Sequence, residues 1–300
     1  MPLVRQPGPP KVRPPDLSRL GLDIAQLSHG KTRTQGTGAL HARYSTSISR
    51  RQLQGMVAMA RHDLNASHRQ NLRRIHWRVP NTAWTMDPCE YGRRDADGAH
   101  LNQMQDLASR YKFDPMAGAI PCGEEISGYL AANFDRFGPP LLLKRDNGGN
   151  LNHAAVNGVL AEYFVLPLNS PVYYAPYNGA IEEAQAELKS GLACRLEHKP
   201  CPREHLEAYA AAVEHDLNHR PRPCLNGKNA CQVYFTGRRT FSKWERRDAY
   251  DWITALHNDI LCSSDGVQPQ AAWRIAAEAW LRMKGFITVT VNGKVLPNFL

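Results

Sequence analysis

Apolar positions along this chain change their period several times, and each change marks an expected element. Residues 1–15, MPLVRQPGPPKVRPP, hold six prolines and no apolar period, so an extended or disordered tail is expected. The pattern permits a short helix from Leu17 to Leu27, followed by the basic loop HGKTRTQGTG. GALHARYSTSISRRQLQGMVAMARHDLN then predicts a helix, a Ser/Thr turn and a longer helix capped near Ser47 or Ser49. Leu53, Met56, Val57 and Ala60 share one face of that second helix and leave Arg50, Arg51 and Arg61 outside it. Two helices, a short turn and exposed arginines suit a helix-turn-helix DNA reader, although small packed hairpins carry the same pattern.

After Pro80 the character changes. AWTMDPCEY reads as a strand ending at a carboxylate, AHLNQMQDLASRY as a second, and the run around Lys112 and Phe113 as a third. GEEISGYLAANFDRFG predicts a helix with Ile126, Tyr129, Leu130 and Phe134 on one face, stopped at Gly138. PLLLKRDNGG is a short apolar strand running into an Asp at a Gly-rich turn, and NHAAVNGVLAEYF is a further helix. VLPLNSPVYYAPYNG reads as an irregular Pro-rich segment, followed by helices over IEEAQAELKSGL and REHLEAYAAAVEHDLNH. The order βββαβα with trailing helices predicts an α/β fold in which helices cover a mixed sheet.

Composition sharpens this picture in three ways. A hydrophobic share of 42% over 300 residues is enough for a real core. No run of about 18 apolar residues is present to span a bilayer, and the basic, Pro-rich N-terminus lacks a signal peptide's apolar region. An intracellular, bacterial cytoplasmic and nucleoid-associated location is therefore expected. The net charge of +9 is unevenly placed: residues 1–80 hold 14 Lys/Arg against Asp16, Asp23 and Asp63, a balance of +11. The other 220 residues carry 23 basic and 25 acidic groups, or −2. A basic segment attached to a near-neutral globule suits a phosphate-backbone partner, or serves as a solubilising tail.

The seven cysteines, Cys89, Cys122, Cys194, Cys201, Cys224, Cys231 and Cys262, are odd in number and scattered. That argues for reduced thiols rather than a disulfide framework. Within the last-but-one four, the in-pair gaps of six residues are too long for a zinc knuckle.

Three acids stand where secondary structure would present them outward. Asp87 lies at the end of the first strand, Asp146 at the end of a later one, and Glu182 opens a helix after Asn178-Gly179. Neighbouring parallel strands can set two aspartates side by side while a helix brings a glutamate over them. Three hard oxygen donors of this kind suit Mg²⁺ or Mn²⁺. Spacing alone does not separate them from the chain's other acids; their local wording does. PNTAWTMDPCEY around Asp87, QDLASRY around Asp106, PPLLLKRDNGGN around Asp146 and SPVYYAPYNGAIEEAQAELK around Glu182 together resemble the catalytic core of DDE transposases and retroviral-type integrases. LNHRPRPCLNG is similar to that family's closing Arg-Pro segment, and the 35 residues between Asp146 and Glu182 match its usual interval.

The resemblance implies a ribonuclease-H-like fold and metal-dependent cutting and joining of DNA. Asp87, Asp146 and Glu182 would hold two divalent ions, with Asp87 bridging both. Asn147 and Gly148 would form the turn after the second Asp, and Asn178 and Gly179 the turn before Glu182. Lys189 falls where relatives carry a lysine that touches the DNA end, whereas Ala186 replaces a position often polar. Arg145 replaces a common Ser or Thr. Asp106 is expected to be structural rather than a metal ligand, and Glu183 and Glu187 are set aside as the third ligand. No His-His-Cys-Cys module precedes Cys89, which favours the bacterial insertion-sequence branch over retroviral integrases.

The expected organisation is a tail over 1–15, a helical DNA-binding segment over 16–75, the catalytic core over 76–235 and an α+β accessory region over 236–300. In the last, FTGRRTFSKWERRDAYDWITALHNDIL places Arg238, Arg239, Lys243, Arg246 and Arg247 among aromatics. QAAWRIAAEAWLRMKG and a hairpin around Asn292-Gly293 follow. That region reads either as a DNA-binding or multimerising appendage, or as packing in which Trp244, Trp252, Trp273 and Trp280 fill a core. Expected partners are mobile-element ends, target DNA and further copies of the chain, with no membrane. A ribonuclease-H-like nuclease and a silent transposase-derived DNA-binding protein are the rival readings.

Overall fold

The structure is a computed structural model describing residues 19, 22–23, 37–44, 48–59, 73–92, 99–171, 175–199, 201–264 and 266–296. Two compact units emerge: residues 1–74 with 290–295, and residues 75–289 with 296–300. The Pro-rich tail, Ser47, Ala60 and Arg61 lie outside the described residues, as does most of the stretch from Leu17 to Leu27.

In the first unit, helix α1 covers Thr37–Tyr44 and helix α2 covers residues 50–59. Ser49 caps α2: its hydroxyl accepts from the Gln52 amide, and the Gln52 side chain accepts from the Ser49 amide. Leu40, Ile48, Leu53 and Val57 bury one another, with Tyr44 and Met56 packed at the margin. This apolar face leaves Arg50 and Arg51 exposed. A hairpin belongs to the same unit, with Thr290 opposite Val295 and Val291 opposite Lys294. Asn292 and Gly293 turn it at φ 52° and 74°, which Asn-Gly tolerates best.

The second unit is built on β2 (Ala83–Tyr91), β3 (Ala99–Asp106), β4 (Met116–Gly118), β5 (Leu142–Arg145) and β6 (Leu166–Asn169), after the short strand β1 (Arg74–Trp77). Their order in the sheet is β4-β3-β2-β5-β6. β2, β3 and β4 are antiparallel, and β2, β5 and β6 parallel. Helices α3 (Gly123–Phe137) and α4 (Ala154–Glu162) make the two crossovers that the parallel strands require. The result is a five-stranded mixed sheet flanked by helices on both faces, as the α/β reading expected.

Side-chain parity assigns the faces. Trp84, Met86, Met104 and Leu143 pack with Ile126, Leu130 and Phe134 of α3 and Val156 and Leu160 of α4. On the other face, Cys89, Ala99 and Leu101 meet α5 (Gly179–Arg195) and α6 (Arg203–His219) through Leu188, Leu192, Leu206 and Ala210. Ala83, Leu142, Leu166 and Leu168 meet α8 (Lys243–Ser263) and α9 (Pro269–Met283) through Ala249, Ile253, Ala277 and Trp280. The short α7 (Ala230–Gly237) adds Tyr234 to the first of these cores. β7 (Ile287–Val291) and β8 (Lys294–Val295) close the chain order.

Four details differ from the pattern reading. The third strand is Met116–Gly118, while Lys112 makes only a bridge to Gln105. Asn218 takes a strand's place there, accepting from the Lys112 amide at 2.8 Å and donating to its carbonyl at 2.7 Å. LPLN forms strand β6 rather than an irregular segment; Pro167 is tolerated because β6 is an edge. β1 is a strand that straddles the boundary expected at residues 75 and 76 between the helical segment and the core. Of the four C-terminal tryptophans, Trp280 is buried and Trp252 and Trp273 partly so, but Trp244 is 84% exposed. Among the described residues no helix is long and apolar enough to cross a membrane.

Candidate active site

Asp87 projects from β2 on the α5 side, sharing parity with Ala83, Thr85 and Cys89. The parallel pairing aligns Ala83 with Leu142 and Thr85 with Lys144. Continued by two residues, that register sets Asp87 level with Asp146, just past the end of β5. Glu182 lies in the first turn of α5, on the same side of the sheet. Asp87, expected at the end of its strand, stands in the middle of β2, which runs on to Tyr91; Asp146 follows the end of β5, and Glu182 comes from the helix that packs over them.

Their electrostatics agree with this placement. Burial pushes the Asp87 carboxyl up to about 6, and the Asp146 and Glu182 charges push the same way. Gln185 opposes the shift by donating from Nε2 to the Asp87 carboxylate at 3.0 Å and to its carbonyl at 3.1 Å. Lys144, buried at 5% exposure, also opposes it.

The Asp146 loop is held by its own backbone and by Arg145. Asp146 Oδ1 accepts from the Gly148 amide at 2.8 Å, and a Cβ on Gly148 would stand 3.0 Å from that oxygen. Asn152 Nδ2 donates to the carbonyls of Asp146 and Gly148, and Asn147 Nδ2 to that of Ser170. Arg145 faces the α4 side, where its guanidinium donates to Asn169, the Leu151 carbonyl and Asn157. Burial lowers its pKa to about 10, still fully charged at neutral pH. Where a Ser or Thr was expected, a buried arginine thus fastens the loop to β6 and α4.

The turn expected at Asn178-Gly179 before Glu182 takes a 3-10 form one step earlier. A 3-10 turn over Ala175–Asn178 runs directly into α5, and Asn178 has φ −94°. Instead of capping the helix, Asn178 Oδ1 accepts from Lys144 Nζ at 3.0 Å and from Ser170 Oγ at 2.7 Å. Lys144 Nζ donates to the Tyr177 carbonyl as well and lies 4.2 Å from the Tyr177 ring centroid. Burial lowers the Lys144 pKa to about 8, against the attraction of Asp87 and Glu182.

The neighbouring acids have other partners. Glu187 takes Lys112 Nζ at 2.8 Å and both Arg222 terminal nitrogens at 2.9 and 2.8 Å. Burial would raise its pKa, but these bonds hold it at about 2. Arg222 belongs to LNHRPRPCLNG, so that segment closes over α5 rather than the carboxylate cluster. Asp106 is buried and accepts from the amides of Asn81, Ala108 and Ser109 and from the Ser109 hydroxyl. Burial raises it to about 6 against those bonds. Its register partner is Trp84, three residues before Asp87, which suits a turn-forming role.

Among the expected DNA contacts, Lys189 lies two turns beyond Glu182, with its amine beside the Cys89 thiol. Arg50 and Arg51 are exposed on α2. Arg238 donates to the Phe137 carbonyl and lies over Phe235, while Arg239 pairs with Glu245 at 2.6 Å. Arg246 is buried, donating to the carbonyls of Pro139, Pro140 and Phe241. Pattern reading missed Lys144, Gln185 and Ser170. The signal available for Lys144 was a Lys-Arg pair at the end of an otherwise apolar strand.

The donor chemistry suits a hard divalent cation: three carboxylates, one half-buried and repelled by the others, on one side of the sheet. Their side chains do not already converge into a cage. Among the described residues, no group of three or more His, Cys, Asp or Glu side chains is clustered closely enough to hold a metal ion.

No protein-family model and no curated protein matches the chain. Several solved structures do. The HTLV-2 integrase catalytic core domain in complex with magnesium is 21% identical over 52% of this chain and 97% of its own, with a TM-score of 0.43. The BIV integrase catalytic core domain is 18% identical over 52% and 95%, with a TM-score of 0.42. The simian T-cell lymphotropic virus intasome in complex with PP2A regulatory subunit B56 gamma is 17% identical over 66% and 74%, with a TM-score of 0.46.

Proposed function

We propose that this protein is a DDE-type polynucleotidyl transferase that cuts the ends of a mobile DNA element and joins them to target DNA. The observation that carries the reading is the level placement of Asp87 and Asp146 on adjacent parallel strands, with Glu182 entering on the helix above. The motifs around these residues support the same reading.

Asp87, Asp146 and Glu182 would hold Mg²⁺ or Mn²⁺, probing for two ions being part of the test. When bound, such ions supply Lewis acidity and charge neutralisation for an in-line displacement at phosphorus. The chain's own groups prepare that chemistry. Gln185 fixes the Asp87 carboxylate, so one oxygen is oriented by its amide. The Gly148 amide fixes Asp146 Oδ1. Lys189, two turns beyond Glu182, would grip a phosphate of the DNA end, and Arg50 and Arg51 would add non-specific affinity. Because two ends are joined to one target, the working form would be an assembly of several copies on DNA.

The test is incubation with paired terminal DNA from the flanking element and Mg²⁺, comparing the wild type with Asp146→Asn and titrating the ion for stoichiometry. The wild type should nick and join, and Asp146→Asn should lose about 100-fold or more in rate, the order seen when a transition-state electrostatic contact is removed. Undiminished nicking in the variant overturns the assignment. Hydrolysis without any joined product identifies a nuclease instead.

A further inference from the structure

We infer that His215 and His219 form a surface site for a borderline transition-metal ion of the Zn²⁺ or Ni²⁺ class, held by two imidazoles and completed by water. The inference is independent of the carboxylate reading above. Both residues lie in the last two turns of α6, and both are exposed. Leu206, Ala210, Val213 and Leu217 make the buried face of that helix, and the histidines stand off it. Four residues apart, they are neighbours on one side of the helix. Their ring centroids are 4.2 Å apart and their planes 34° from parallel.

That spacing suits a shared ion. Imidazole nitrogens bind zinc at about 2.0–2.1 Å, so two of them on one ion, at a right or tetrahedral angle, stand about 3 Å apart. Rings centred 4.2 Å from one another can present their outer nitrogens at that separation. Histidines at i and i+4 of a helix are the spacing that lets two rings reach one zinc ion. Two protein ligands are fewer than a structural zinc site uses, so the ion would be exchangeable rather than enclosed.

The inner nitrogen of each ring is already directed. His219 Nδ1 lies 2.8 Å from the His215 carbonyl oxygen. A carbonyl only accepts, so Nδ1 carries the proton and Nε2 keeps its lone pair. His215 Nδ1 faces Asp216 Oδ1 at 3.7 Å, within ion-pair range though longer than a hydrogen bond. Asp216 is in turn held by Arg195 at 2.8 Å. An acceptor behind the ring is what sets the tautomer and orientation of metal-bound histidines. The site also sits at the C-terminal end of α6, where the helix dipole favours a cation. Of the arginines around it, Arg195 is turned to Asp216 and Arg220 to Glu187 at 3.9 Å. Imidazole suits zinc, copper and nickel, whereas Mg²⁺ takes oxygen ligands and is not expected here.

A Ni²⁺ titration of the whole chain in excess Mg²⁺, followed through the ring signals of ¹³C-labelled histidine, tests the site among the chain's 12 histidines. His215 and His219, assigned by the signal lost in His215→Ala and in His219→Ala, should broaden together at one Ni²⁺ concentration. In either variant the remaining ring should need about tenfold more Ni²⁺ or above, because tethering two ligands adds at least that much affinity. Both side chains are exposed, so neither variant should disturb folding. A shift of less than tenfold in either variant overturns the inference, since two imidazoles acting separately do not depend on one another. A wild type whose two rings respond at different Ni²⁺ concentrations, or not at all, overturns it as well.

Discussion

Replacing Glu187 by Gln should destabilise the protein severely while leaving the proposed binding of divalent ions intact. Glu187 is the anion between two buried or nearly buried cations, Lys112 with a fully enclosed side chain and Arg222 with both terminal nitrogens engaged. The substitution keeps the shape but removes the charge, leaving the Lys112 ammonium with neutral acceptors alone, the new amide oxygen and the Gln105 side-chain oxygen at 3.2 Å. Breaking a buried pair from one side costs about 3–5 kcal/mol. Because Glu187 retains 19% side-chain exposure, the lower end applies, about 3 kcal/mol. For a unit of this size each kcal/mol moves Tm by about 2–4 °C, so a fall of about 6–12 °C is expected at pH 7.

The sign of the pH dependence is fixed as well. Its folded pKa of about 2 lies below the ordinary 4.5, so the stabilisation is complete above pH 4.5 and is lost as pH falls toward 2. Wild type and Glu187→Gln should therefore converge on acidification. Adding Lys112→Met to Glu187→Gln removes the stranded ammonium and should recover at least half of the loss. Urea unfolding at pH 7 and pH 3, with Mn²⁺ titration beside it, measures all of this. A loss below about 1 kcal/mol at pH 7 would refute the ion-pair account. Loss of Mn²⁺ binding on the scale of Glu182→Gln would refute the choice of Glu182 over Glu187.

Three further outcomes are expected. Burial raises Glu214 to about 8, beside Gln103, so its stabilisation is complete below pH 4.5 and lost as pH rises through about 8. The wild-type Tm should fall between about pH 5 and 8, level off above that, and lose this slope in Glu214→Gln; a flat wild-type profile over about pH 5–8 contradicts this. Asp106→Asn should cost about 1–3 kcal/mol in chemical denaturation, since its amide group would face N–H and O–H donors that now meet carboxylate oxygens. Its Mn²⁺ affinity should not move, and a large drop there would make Asp106 a ligand. Trp280→Ala should cost about 3–5 kcal/mol, whereas Trp244→Ala, at an exposed position, should stay within about 0.5 kcal/mol; equal effects would contradict the packing described.

Legibility in the sequence followed how local each determinant is. Helix α3 is readable because Ile126, Leu130 and Phe134 repeat along one buried face and Gly138 stops it at φ 82°. β2 is readable from its β-compatible residues, and the sequence reading already set it beside the strand that leads into Asp146, as its parallel pairing with β5 has it. The third strand differs because Lys112 and Phe113 look like strand residues, yet both backbone groups of Lys112 are paired to a side chain, Asn218, 106 positions away. No local pattern encodes such a partner. β6 was hidden by Pro167, whose acceptability depends on the strand being an edge, a property of the finished sheet. The three carboxylates were singled out by wording, whereas the contacts of Lys144 and Gln185 depend on register and helix phase, settled only when β2, β5 and α5 come together.

The polar residues on the α5 face of the sheet gain their meaning from the helix they face. Gln105 donates to the Ala180 carbonyl, Lys144 holds Asn178, Gln185 holds Asp87, and Lys112 with Arg222 holds Glu187. Four consecutive anchors thus cover the first nine residues of α5, although the helix has an apolar contact to the core as well through Leu188 and Leu192. Glu182 lies between the anchors and is itself exposed. Its position is set without its carboxylate being consumed, which is the condition for a ligand or catalytic group to remain available while its backbone stays fixed. The arrangement separates two demands that would conflict in one residue: part-buried Glu187, taken up by Lys112 and Arg222, supplies the ionic attachment, whereas exposed Glu182 contributes little to folding and is free to serve an external ion. Glu182→Gln should accordingly leave Tm within about 1 °C of the wild type while weakening Mn²⁺ binding, the reverse of Glu187→Gln. A matching loss of stability in both variants would mean that the anchors do not act independently of the cluster they position.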